Sequence, residues 1–473
     1  IRLSLVGSEM CIRDRRGALL LDRLSGAGRD ALDPGSYAVA AIRAAIAAGD
    51  AGGLAGADIL LSRGLVRYAA DLHGREAQDT GVLAEAAVAD DFAGWLDGLA
   101  PVDPNYRRLR SALADYRAIA AAGGWPSVPP GPTLEQGDAD LRVPTLRRRL
   151  AVTGDLAHDL ADGSPFYDAA LAEAVRRFQE RHGLDPDGRT GPRTLAALNR
   201  SVGARIGEIE TSMADLRDPE FGVGERGILV NIAAAQVTLI EDGEPVLTSR
   251  VIIGRPDWPT PTLRSRVTSI VINPPWVVPV SIAAREIVPK VRALGEEYLV
   301  RQGIRLIGEG HRELDPSSID WSAVGRTGMP FVLRQDPGPL NPLGRVKFQF
   351  DNRYSVYLHD TPSRRLFERS ERTLSHGCVR VEAAQRLALH LLRQEGWTDE
   401  QFERALERGT TKRVELTRPL PVHLVSLSAW KDEAGTVHFH DDPYAPPGTV
   451  ELAMAESSCP ADLDALRDIK GKF

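Results

Sequence analysis

The sequence predicts a multidomain α+β chain: an α-helical scaffold, then a small three-helix module, then a β-rich domain with an inserted lid. Three observations predict it. The first stretch keeps apolar residues at helical spacing, as in YAVAAIRAAI and YRRLRSALADYRAIAAA. The run GGWPSVPPGPT closes that stretch, because proline fixes φ and removes a backbone donor. Beyond residue 222 two β-rich runs flank an Asp-Gly pair, a strong short-range hairpin signal. At 473 residues there is room for several domains of about 100–200 residues each.

Each element follows in order. Residues 1–16 stand apart, because LSLVGSEMCIRDR resembles a translated sequencing-library adapter. They are set aside as foreign, and a signal peptide or anchor is expected to have been lost with the natural N-terminus. Residues 17–137 read as the helical scaffold, without chemistry of its own. In residues 138–200, Leu171, Val175 and Phe178 fall at i, i+4 and i+7 on one helical face. Leu146 and Leu150 supply an earlier helix, GLDPDG a turn, and RTLAALN a third helix. Residues 201–222 read as a linker or scaffold helix.

Residues 223–449 are expected to form the β-rich domain. GILVNIAAAQVTLI and PVLTSRVIIG flank the turn EDGE, and SRVTSIVINPPWVVPVSI holds a strand closed by Pro274 and Pro275. RVKFQF and YSVYLHD make a second hairpin, in which Val346, Phe348 and Phe350 alternate with Lys347 and Gln349. The segment at about 283–344 begins as helix and continues Gly- and Pro-rich, an insertion of the kind that covers a site. The tail 450–473, with Cys459, has no functional reading.

Composition excludes several classes. A formal charge of −7 gives no electrostatic reason to bind nucleic acid. No apolar run reaches the roughly 18 residues of a membrane span. With Cys11 set aside, Cys378 and Cys459 are too few for a disulfide framework.

The stretch TLSHGCVRVE carries the chemistry. Cys378 is expected at the N-terminus of the helix VEAAQRLALHLLRQEG, where free N–H groups and the dipole lower a thiol pKa from about 8.5 toward about 3.5–7.5. Arg380 adds positive charge nearby. Gly377 lets the backbone turn tightly and its N–H approach an oxyanion. His359, 19 residues upstream at a strand end, suits a general base. His376 is the alternative base, although its place inside the turn favours shaping the loop. Asp360 offers a carbonyl or carboxylate to fix the His359 tautomer. Zinc accepts the ligand types of His359, Asp360, His376 and Cys378, but the paired short intervals of a zinc site are missing.

These residues carry a resemblance. YLHDTPSRRLFERSERTLSHGCVRV resembles the active-site signature of L,D-transpeptidases, and AVRRFQERHGLDPDGRTGPRTLAALN resembles a peptidoglycan-binding domain. VIIGRPDWPTPT, VINPPWVVP and PVHLVSLSAWKDEAGTVHFHDDPY are similar to flanking parts of the large periplasmic type. The resemblance implies a β-rich L,D-transpeptidase catalytic domain with Cys378 as nucleophile and His359 as base. The backbone of His376, Gly377 and Cys378 would form the oxyanion hole. Tyr357, Arg380, Ser375 and Trp276 would line the substrate site, although Trp276 and Trp321 by themselves read as core or lid packing.

The implied reaction joins peptidoglycan stem peptides, a tetrapeptide donor and a diaminopimelate acceptor, into 3→3 cross-links with loss of D-Ala. It needs no metal or cofactor, and carbapenems would acylate the same thiol. Other cell-wall synthases are the further partners implied, and the periplasm or envelope of a Gram-negative-type bacterium is the implied location. ETSMADLRD replaces an expected tryptophan-rich helix end, and NIAAAQ lacks the usual proline and tyrosine. Water as acceptor would make the chain an L,D-carboxypeptidase or amidase. A catalytically idle wall-binding scaffold is opposed by the presence of both Cys378 and His359.

Overall fold

The computed structural model describes residues 15–73, 80–101, 103–218, 221–324 and 329–445. Residues 1–14 and the tail with Cys459 lie outside them. The first helix begins at Arg15, so the last two residues of the adapter-like segment belong to it.

Helices α1 (Arg15–Ser25), α2 (Val39–Ala48), α3 (Ala51–Leu72), α4 (Gly81–Val88) and α5 (Phe92–Gly98) pack around Leu24, Leu61, Leu65, Tyr68 and Leu96. Gly49 ends α2 at φ +69, and the Asp50 carboxylate accepts from Gly53 N–H to start α3, a side-chain cap of the usual kind. Helix α6 (Pro104–Ala121) leaves this cluster. Its stripe Tyr106, Leu109, Leu113 and Tyr116 packs instead on Ile209 and Met213 and on Phe439 near the C-terminus.

The three-helix module is as its apolar spacing implies. Helices α7 (Val143–Val152), α8 (Ala169–Arg181) and α9 (Pro192–Asn199) bury Leu146, Leu150, Leu171, Val175 and Phe178 completely. The module is fixed rather than tethered. Arg149 lies 4.0 Å over the Trp125 ring, and His182 stacks on Phe439 at 5.8 Å. Arg181 is buried against Asp155 in a bidentate pair. Helix α10 (Val202–Arg217) then leads to the sheet.

The main sheet uses β1 (Gly227–Asn231), β2 (Gln236–Glu241), β3 (Glu244–Gly254) and β4 (Leu263–Ile272) before the insertion. Asp242 and Gly243, both at positive φ, make the turn between β2 and β3, as that turn type requires. The insertion holds β5 (Trp276–Val277), α11 (Val280–Ile282), a π-turn at Ala283–Ile287, α12 (Val288–Leu294) and α13 (Glu297–Gln302). It continues with β6 (Ile304–Ile307), β7 (Glu313–Leu314) and β8 (Val332–Gln335). Where the sequence suggested helix followed by irregular chain, the structure has a small sheet in the order β5-β8-β6-β7 with its own core. Strands of two to four residues are too short to show a period of two.

After the insertion come β9 (Val346–Phe350), β10 (Leu358–His359), β11 (Thr373–Ser375) and β12 (Val379–Val381). Helices α14 (Ala384–Gln394) and α15 (Asp399–Glu407) precede β13 (Lys412–Val425), β14 (Ala429–Lys431) and β15 (Val437–Phe439). The order β11-β3-β12-β10-β9-β4-β13-β1-β2, with a further β2–β3 pairing, closes the main sheet on itself. Inward residues of these strands and the apolar face of α14 share one core.

Candidate active site

Strand register brings the predicted residues together. β10 runs parallel to β12 with Leu358 opposite Val379 and His359 opposite Arg380, and antiparallel to β9 with His359 opposite Lys347. Leu358, Val379 and Val381 face the core, so by alternation Tyr357, His359, Cys378, Arg380 and Lys347 face outward.

His359 is buried, and its Nδ1 lies 2.5 Å from the Asp360 carbonyl oxygen. That contact makes Nδ1 the protonated nitrogen and leaves Nε2 as the acceptor. Between the carbonyl and carboxylate that Asp360 could offer, the carbonyl does this. The carboxylate instead accepts from Arg345 N–H at 3.0 Å and Gln385 Nε2 at 3.1 Å, and pairs with Arg364. Burial, with Arg380 and Lys347 nearby, pushes His359 down to about 3. The imidazole is therefore neutral and free to accept a proton.

Cys378 departs from expectation. Strand β12 intervenes between it and α14, so the thiol does not sit at a helix N-terminus. Burial pushes its pKa up, partly offset by hydrogen bonds from the Tyr357 N–H and hydroxyl and by the charges of Lys347 and Arg380. The predicted lowering fails because the thiol lies six residues before the first residue of α14 instead of at its N-terminus. Cys378 is a free thiol, half-buried. The Tyr357 hydroxyl stands beside the sulfur, and the Trp276 indole stands beside Tyr357 in turn. Trp276 thus joins the insertion to the site.

The loop before the thiol is braced from within. Ser375 Oγ donates to the Cys378 carbonyl at 2.6 Å and accepts from Gly377 N–H at 3.1 Å. Buried there, Ser375 shapes the loop rather than facing a substrate, and the Gly377 N–H expected in an oxyanion hole is engaged by it. Gly377 stands at φ +99, and a β-carbon would lie 3.3 Å from the Pro259 carbonyl oxygen. The positive φ favours glycine here, and the tight approach adds to it. His376 turns away, its Nε2 2.5 Å from Glu286 in the insertion's π-turn and its ring 5.0 Å from Trp258. It latches the insertion to the loop.

Sequence reasoning missed Lys347. It read only as a polar position in an alternating strand, yet its Nζ lies 3.9 Å over the Tyr357 ring. Its pairing across β9 and β10, visible only once register is known, is the signal that finds it. Among the described residues no group of three His, Cys, Asp or Glu side chains suits a metal ion.

Known proteins share these parts. Residues 225–415 match an L,D-transpeptidase catalytic domain, residues 140–198 a peptidoglycan binding domain, and residues 12–80 a scaffold domain. A curated Haemophilus influenzae protein, described provisionally as an L,D-transpeptidase, is 34% identical over 223 residues. The match covers 47% of this chain and 44% of that relative, so the chain spans less than half of its length. Crystal structures of L,D-transpeptidases from Xylanimonas cellulosilytica and Stackebrandtia nassauensis align at 18% and 16% identity. Each alignment covers 63% of this chain and 98% of the other, at TM-scores of 0.20 and 0.24, too low to add to the domain matches.

Proposed function

We propose that the chain, whose residues 225–415 match an L,D-transpeptidase catalytic domain, is an enzyme of that family and forms 3→3 cross-links in peptidoglycan through a Cys378 thioester. The observation that carries the reading is the outward row of Tyr357, His359, Cys378 and Arg380 on paired strands β10 and β12. His359 Nε2 takes the thiol proton as the sulfur attacks the carbonyl of the L-centre of diaminopimelate in a donor tetrapeptide. The C–N bond to D-Ala breaks, and His359 returns the proton to the leaving amine. An amine of a second stem then attacks the thioester and gives its proton to His359, and the thiol is restored. Tyr357 and Arg380 hold the donor, with Trp276 at the edge of the insertion. With its wall-binding module, the enzyme works in the cell envelope. No helix among the described residues is long and apolar enough to cross a membrane.

Incubation with disaccharide-tetrapeptide, followed by intact mass and product analysis, tests the reading. A Cys378 adduct, D-Ala release and a cross-linked dimer are expected, all abolished in Cys378→Ala. Turnover retained in that variant would sink the assignment, and tripeptide as the sole product would assign hydrolysis instead.

A further inference from the structure

Two cavities of about 500 and 660 Å³ lie between the three-helix module and the catalytic sheet. They share walls at Glu180, Ala234, Arg250, Arg372 and His440, and so make one cleft. We propose that this cleft seats the glycan backbone of peptidoglycan, with the attached donor stem running along β12 so that its scissile carbonyl meets Cys378. The inference rests on the transpeptidase reading and locates the polymer around that site.

Register supplies the first argument. Along β12 the outward residues are Cys378, Arg380 and then Glu382, whose N–H donates to the Arg250 carbonyl and whose carboxylate pairs with the Arg250 guanidinium at 2.9 and 2.6 Å. Both Arg250 and Glu382 line the cleft. Three strand residues lie between the thiol and Glu382, four steps of about 3.3 Å or about 13 Å in all. In a tetrapeptide whose fourth residue leaves, three residues lie between the attacked carbonyl and the sugar, about 10 Å when extended. The thiol-to-cleft distance matches the stem to within one residue.

The lining supplies the second. Arg250 is paired with Glu382, and Glu180, Arg386 and Asp432 add charges of both signs, so the cleft favours no strongly charged ligand. It presents hydrogen-bonding groups beside a cluster of three rings, in which Trp430 stacks parallel on His438 with centroids 4.9 Å apart and meets His440 at 4.7 Å. Polar side chains flanking a flat ring suit a sugar, whose hydroxyls take hydrogen bonds and whose C–H face packs on an aromatic surface. His440 lines both cavities, and its Nε2 is buried without a partner among the described residues. Position is the third argument. Glu180 lies in the last turn of α8 and Arg193 on α9, so the module forms one wall of a cleft whose opposite wall belongs to the catalytic sheet. A strand held there touches both.

The test uses glycan strands stripped of all stem peptides, titrated calorimetrically into the full chain carrying Cys378→Ala. Measurable binding is expected, weakened about tenfold by Trp430→Ala, the loss of one ring contact. Because Trp430→Ala could disturb the β14–β15 hairpin, Arg386→Glu on the exposed face of α14 is the second variant, with the same expectation. Absence of binding in the parent, or equal affinity in a folded Arg386→Glu protein, would overturn the proposal. In the active enzyme, kcat/KM for disaccharide-tetrapeptide relative to free tetrapeptide should fall about tenfold in either variant, and an unchanged ratio would also overturn it. Failure of the transpeptidase reading shows itself separately, as the lack of a Cys378 adduct from either donor while stripped glycan still binds.

Discussion

Replacing Lys347 with Met should raise the pKa of the Cys378 thiol by about one unit. Strands β9 and β12 flank β10, so their backbones are two strand spacings of about 4.8 Å apart. Lys347 leans over the Tyr357 ring toward the sulfur, whose separation from the ammonium is then about 8 Å. At an effective dielectric near 20, a cation at about 8 Å stabilises a thiolate by about 2 kcal/mol. That equals about 1.5 pKa units at about 1.36 kcal/mol each. The ammonium is only half-buried, and salt screening trims the effect to about one unit. The sign is fixed: losing a cation disfavours the thiolate, so the pKa rises further above its already raised position. The assay is the pH dependence of alkylation by iodoacetamide, read at the Cys378 peptide by mass because the sequence holds two further cysteines. The inflexion should move up by about one unit, and Lys347→Arg should restore it. At pH 8 the variant should acylate about tenfold more slowly, because less of the thiol is ionised. An unmoved inflexion, or the same shift in Lys347→Arg, would refute the electrostatic role.

Two further outcomes follow from the same geometry. Gly377→Ala places a β-carbon 3.3 Å from the Pro259 carbonyl at φ +99, at a cost of order 1–3 kcal/mol; kcat should fall at least tenfold while the thermal midpoint drops by only a few degrees, and wild-type turnover would show that the loop tolerates the side chain. His359 is held at about 3 when folded against about 6.5 when unfolded. The unfolded chain therefore binds the proton first, and the stability present above pH 6.5 is lost as pH falls toward 3. Between pH 7 and 5 this residue alone should remove roughly 2 kcal/mol, measured as the change in urea unfolding free energy that His359→Gln abolishes; parallel curves for both proteins would contradict the assignment.

Local order left clear marks in the sequence, and closure did not. Leu171, Val175 and Phe178 fall where their spacing puts them, because a helix face is decided within four residues. Phe348 and Phe350 alternate inward for the same reason. The thiol's neighbours depend on register between β9, β10 and β12, set by pairings across 10 to 21 residues. His359 and Cys378 could still be found, since their types announce chemistry. Lys347 could not, because a lysine on an alternating strand looks like any solvated position until its partner strand is known. The helix expected to begin at Val381, just after Cys378, begins three residues later: VRV pairs with β3 and β10 before the chain turns into α14. Periodicity marks a helix face better than its first residue. Scaffold helix α6 was legible as a helix, but its partners, α10 and the β14–β15 hairpin, lie about 100 and 320 residues away in sequence.

The electrostatics of the site constrain the proposed chemistry further. With the thiol raised and the imidazole lowered, the resting pair is neutral, unlike the thiolate–imidazolium pair of a cysteine at a helix N-terminus. His359 stands opposite Lys347 on one side and Arg380 on the other, so imidazolium formed there is repelled by both. The Asp360 carbonyl is the contact that favours it, and the nearest carboxylate is spent on Arg345, Gln385 and Arg364. A proton taken from Cys378 is therefore held weakly and passes readily to the departing amine, which carries the reaction forward rather than back to free thiol. The same two cations that discourage imidazolium favour thiolate and the negative charge of a tetrahedral intermediate. They thus place the cost of activation on the base and the benefit on the nucleophile. An uncharged resting thiol also reacts slowly with small electrophiles, so a bound donor carbonyl, aligned by the outward row of β10 and β12, is what the sulfur meets productively.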